Sequence, residues 1–173
     1  VAELAMSDED RLEFKGIAPS KQAAWLVEYW RRQDPNPVTI QNERLVEHFR
    51  RVSYAQRYFR TTVSPLGFDD RGKIYIKWGP PDEKYANPMP VLNPAYVDDR
   101  QPDGRPVDPG DTYAVRGNES WYYPSIDYYM GFDFVNYGGY YQEAVSLSDA
   151  VIGRSAGIGM GYDDDYGNWL AIQ

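Results

Sequence analysis

The chain has 173 residues, which fits one domain or one domain with an ordered extension, and its 42% hydrophobic content suffices for a core. With 26 acidic against 18 basic residues the net charge is −8, a field that disfavours nucleic-acid backbones and anionic lipid surfaces as partners. Cysteine is absent, which removes disulfides, thiolate metal sites and cysteine nucleophiles, and no run approaches the roughly 18 apolar residues of a membrane span.

In chain order, Ser7-Asp8-Glu9-Asp10 caps a short helix that carries Leu12 and Phe14. Pro19-Ser20 opens a second helix to about Gln33. Its stripe is Ala23, Leu26, Val27 and Trp30, widened by Trp25 and Tyr29. Asp34-Pro35-Asn36-Pro37 ends that helix, because each proline lacks an N–H and disfavours helix in the residue before it. Thr39 is expected to cap a third helix over about 40–60, with Leu45, Phe49, Val52 and Phe59 as its core face.

Lys73-Ile74-Tyr75-Ile76-Lys77-Trp78 alternates with period two, which predicts a strand. Ile74, Ile76 and Trp78 would face the helices and Lys73, Tyr75 and Lys77 the other side. Asp70-Arg71-Gly72 reads as the turn into it. Gly79-Pro80-Pro81-Asp82 reads as a rigid exit that places the Asp82 side chain near backbone N–H groups. Residues 86–118 form a polar loop. Strands resume at 120–123, 127–136 and 140–146, with Gly138-Gly139 as a hairpin turn.

The pattern predicts an α+β fold: N-terminal helices packed on a small, mainly antiparallel sheet, over residues 1–147. Residues 148–173 are a glycine-rich tail of irregular structure. Ordering it is entropically costly, yet it carries Ile158, Met160, Tyr162, Trp169 and Leu170, which gain by burial. With the acidic run Asp163, Asp164 and Asp165, these are the expected partner-binding residues, suited to a surface with a basic patch.

Two stretches together resemble the GWxTD domain family, exported bacterial proteins with no established chemistry. One runs from Tyr29-Trp30 through Arg31-Arg32-Gln33-Asp34-Pro35-Asn36-Pro37 to Asn42-Glu43 and on to Phe49, Arg51, Ala55 and Phe59. The other is Asp70-Arg71-Gly72-Lys73 through Trp78 to Gly79-Pro80-Pro81-Asp82. The likeness spans about residues 12–146, including Glu119-Ser120-Trp121-Tyr122-Tyr123 and Phe132-Asp133-Phe134-Val135. It departs at the name-giving motif, where Leu66-Gly67-Phe68-Asp69-Asp70 has Phe68 in place of Trp and no Thr. The family-motif positions are Trp30, Asp34, Pro35, Asn42, Glu43, Arg71, Gly72, Gly79, Pro80, Pro81 and Asp82. The resemblance implies export to the periplasm or exterior.

Catalytic chemistry finds little support. His48, the single histidine, lies one residue off the expected stripe and reads as structural or surface, with no Gly-x-Ser-x-Gly elbow to serve. Carboxylate pairs such as Asp69-Asp70 and Asp98-Asp99 are too common here to mark a glycosidase. Gly157-Ile158-Gly159-Met160-Gly161 lacks the strand and lysine of a phosphate loop. Asp98, Asp99, Asp103, Asp108 and Asp111 match no calcium-loop register. The expectation is a non-catalytic interaction domain without cofactor, an accessory subunit of a membrane-associated assembly. Its 16 tyrosines suit an interface. A carbohydrate-binding module and, further back, a hydrolase are the alternatives.

Overall fold

The computed structural model describes residues 1–88, 91–92, 114–145 and 147–152. They fall into two compact units, Val1–Pro80 and a second that begins at Pro81. The first is helical and the second is built on antiparallel sheet, so the α+β class holds. Among the described residues no helix is long and apolar enough to cross a membrane.

The first unit opens with a 3-10 turn, Ala2–Ala5, followed by α1 (Asp8–Gly16), α2 (Pro19–Arg32), α3 (Glu43–Tyr58) and α4 (Asp70–Trp78). Ser7 caps α1 by accepting from Asp10 N, and Pro19 sits in the first turn of α2, where no partner for its nitrogen is needed. The apolar centre forms around Met6, Tyr29 and Trp30, with Phe14, Trp25, Leu26 and Leu45 packed against it. Trp30 and Tyr29 are buried as expected, whereas Ala23 is exposed and Val27 is 72% exposed.

Three expectations are corrected in this unit. Thr39 does not cap α3. The cap is Asn42, whose side chain accepts from Leu45 N at 2.8 Å, while Thr39 Oγ1 donates to Glu43 Oε1. Phe49 is not a core position: it is 58% exposed, and the buried row runs through His48, Val52, Ala55 and Phe59. Val52 and Phe59 are buried as expected, and His48 takes the place expected of Phe49.

The third correction is larger. Residues 73–78 are helix, not strand. Asp69 starts it by accepting from Arg71 N, and Asp70 pairs with Lys73 one turn on. Ile74, Tyr75 and Ile76 are consecutive and all buried, which a strand with one covered face does not allow. Gly79 then stops the helix at φ 93°, in the left-handed region that suits glycine.

The second unit holds a four-stranded antiparallel sheet in the order β1-β4-β5-β6: β1 (Glu83–Asn87), β4 (Asn118–Tyr122), β5 (Gly131–Asn136) and β6 (Tyr141–Glu143). A smaller antiparallel sheet pairs β2 (Val91–Leu92), β3 (Ala114–Val115) and β7 (Val151–Ile152). The segment 86–118, expected as loop, thus supplies parts of β1 to β4. Gly138 and Gly139 both take positive φ in the β5–β6 hairpin, as expected. Trp121 and Phe134 are buried and meet edge to face at 5.0 Å.

Candidate interaction surface

The family-motif side chains within the first unit do local backbone work. Asp34 Oδ1 accepts from Asn36 N across Pro35, setting the turn after α2. Asn42 caps α3 and also donates from Nδ2 to the Trp30 carbonyl, so one amide joins α2 to α3. The Thr39 hydroxyl holds the Glu43 carboxyl below its ordinary value. Arg71 grips Asp69, with Nη2 at 2.7 Å from Oδ2, and its guanidinium lies 5.1 Å over the Phe59 ring. Gly72 is required by contact: a Cβ there would lie 2.5 Å from the Phe68 ring. Gly79 faces Arg51, whose guanidinium donates to the Ile76 and Lys77 carbonyls at the end of α4. Arg50 and, less strongly, Arg51 hold the Glu47 carboxyl down at about 2.

Pro80 and Pro81 lead directly to Asp82. Its backbone N–H donates to the Tyr122 carbonyl, and its Oδ2 accepts from Ser125 N at 2.9 Å. The Ser125 side chain and backbone lower the pKa of this carboxyl. The expectation that Asp82 sits at a backbone N–H is therefore met, and the donor lies in the β4–β5 connection.

That connection, residues 123–130, was expected to be strand from Asp127 onward, and it is a turn. Ile126 N and Asp127 N both donate to the Tyr123 carbonyl, Met130 N donates to the Asp127 carbonyl, and Tyr123 N donates to the Met130 carbonyl. Asp127 Oδ1 accepts from Tyr129 N at 2.9 Å. With its backbone so engaged, the turn presents Ile126 at 50%, Tyr128 at 81% and Tyr129 at 89% exposure. The two tyrosine rings stand 5.1 Å apart and nearly perpendicular, at 89°. Tyr123, by contrast, is buried at the root of the turn against Phe132.

The charge around the turn is one-sided. The described part of the second unit has seven carboxylates and only two basic side chains, Lys84 and Arg116. Lys84 is committed to Glu119 at 2.9 Å, and Arg116 lies over the Tyr137 ring at 4.4 Å. Asp82, Glu83 and Asp127 therefore leave the root of the turn acidic.

The expected partner-binding residues Ile158, Met160, Tyr162, Asp163, Asp164, Asp165, Trp169 and Leu170 lie outside the described residues, as do Asp98, Asp99, Asp103, Asp108 and Asp111. Among the described residues no group of three or more His, Asp or Glu side chains is placed to hold a metal ion. The sequence reading missed Ile126, Tyr128 and Tyr129. The signal was Pro124-Ser125 followed by Asp127, turn chemistry inside a run of β-favouring residues. Comparison of the chain with family models, curated proteins and solved structures returns no match.

Proposed function

We propose that this chain is a non-catalytic protein-interaction domain, an exported accessory subunit of a membrane-associated assembly, as its likeness to GWxTD proteins implies. The observation that carries the reading is the β4–β5 turn. Large aromatic side chains in solvent cost apolar hydration, and fixing a loop around them costs conformational entropy. Both costs are offset when the aromatics enter a partner, because a preset turn loses little further freedom on binding. Tyrosine is also among the residues that dominate interface energetics. The acidic root favours an apolar pocket with a basic rim on that partner.

The perpendicular tyrosine rings favour a protein partner over a sugar, since a carbohydrate platform needs coplanar rings. The expected arm at 148–173 is cut back at its start, because Val151–Ile152 form β7, and the glycine-rich sequence after β7 is a second contact in this proposal. The test places a photo-crosslinking amino acid at Tyr128 in native cells, with exposed Leu12 of α1 as the control position. A discrete protein adduct at Tyr128 and none at Leu12 supports the reading. Equal labelling at both positions overturns it.

A further inference from the structure

His48 is the single histidine in the chain and is 2% exposed. It fills a core position of α3, with the Trp30 ring of α2 at 5.1 Å and the Phe49 ring at 5.6 Å. Its Nε2 has no hydrogen-bond partner. The charged side chains acting on it are Arg44 and Arg51 from its own helix, both positive. From α2 it meets the uncharged Trp30 ring. A neutral imidazole fits this box as an aromatic filler. An imidazolium would sit there beside two cations and desolvated by its burial.

We infer that His48 is a pH-sensitive catch on the Val1–Pro80 unit: neutral, it seals the contact between α2 and α3, and protonated, it opens that contact. The interaction reading proposed above plays no part in this inference. Burial first, then Arg44, push the imidazole pKa down to about 4 from 6.5. The sign follows. The unfolded chain takes up the proton first, so the stability that neutral His48 confers is complete above about pH 6.5. It falls as pH drops toward about 4, by roughly tenfold in the folding constant per pH unit for one proton.

The window is clean. Ordinary carboxylates titrate near pH 4, and Glu47 is held lower still, at about 2. Imidazole is the side-chain type whose ordinary value lies near 6.5, so the upper part of the window reports His48. The unit beginning at Pro81 contains no histidine, so its sheet has no such group to protonate.

The experiment uses the full chain. Its histidine ring resonances are followed by NMR from pH 8 to 4, with amide exchange at both ends of the window. The expected result is no midpoint near 6.5, and protection in α2 and α3 that falls by roughly tenfold per pH unit between about pH 6.5 and 4 while β4 and β5 keep theirs. His48→Phe and His48→Gln should carry α2–α3 protection to lower pH. A histidine that titrates near 6.5 with α2 and α3 still protected overturns the inference, and so do folded variants that open at the wild-type pH. The wild-type titration decides the question even if neither variant folds.

Discussion

Asp82 Oδ2 accepts a hydrogen bond from Ser125 N at 2.9 Å, across 43 residues of sequence. Its own N–H reaches the Tyr122 carbonyl. The residue that closes Gly79-Pro80-Pro81-Asp82 thus staples the edge strand β1 to the turn that carries Tyr128 and Tyr129. Asp82→Ala should leave the sheet folded and speed amide exchange at Ser125 through Tyr129. Asp82→Asn keeps an acceptor and should fall between. The lowered pKa gives the sign: the staple holds above the ordinary carboxylate pKa and is lost as pH falls through the folded value. Unchanged exchange in Asp82→Ala would remove the staple from the account.

Gly72 tests the helix at 70–78. Alanine normally stabilises a helix interior by about 1 kcal/mol over glycine. Here its Cβ would strike the Phe68 ring at 2.5 Å, so Gly72→Ala should instead destabilise by roughly 1–3 kcal/mol. Chemical denaturation reads the sign directly, and a stabilised variant would refute the packing described.

Ile76 is 2% exposed, and its truncation to alanine should cost roughly 2–5 kcal/mol. Strand and helix differ at Tyr75, which is 6% exposed and stacks on Tyr54 at 4.3 Å. Tyr75→Ala should cost roughly 3–5 kcal/mol, as for other buried aromatics. A cost under about 1 kcal/mol, as for an exposed surface residue, would restore the strand.

Asn42 serves two helices at once, capping α3 and holding the Trp30 carbonyl of α2. Asn42→Ala should cost about 1–2 kcal/mol, the upper range for a lost cap. Thr39→Ala, which removes only exposed contacts, should cost clearly less. Thermal melts of the two variants compare them, and the reverse order would make Thr39 the cap after all.

These contrasts show which signals the sequence carried. Helix starts with strong chemistry were legible: Ser7 before three acids, and Pro19 after Ala18. So was the Gly138-Gly139 hairpin, because two consecutive positive φ values admit little else. Residues 73–78 misled because six alternating residues also fit two turns of a helix buried on more than one side. The cap at Asp69, not the alternation, was the deciding signal. On α3 a phenylalanine and a histidine stand side by side, and hydrophobicity alone assigns the core to Phe49. Both keep a 3–4 spacing with Leu45 and Val52; at about 100° per residue the buried Ala55 and Phe59 move the centre of the arc to the His48 side. The exposed turn was hidden for a similar reason: tyrosine favours strands, and only Asp127 and its neighbours revealed the bend.

The central claim is that Tyr128 and Tyr129 bind a partner protein. Its most direct measurement is the affinity of the partner crosslinked at Tyr128 for the wild-type chain and for Tyr128→Ser/Tyr129→Ser, by titration calorimetry at two salt concentrations. If the pair is a hot spot worth about 2 kcal/mol or more, the double variant should bind roughly 30-fold more weakly while melting at the wild-type temperature. Wild-type binding should also weaken at the higher salt, as an acidic root against a basic rim requires. Affinity within about twofold of wild type for a folded double variant would contradict the claim.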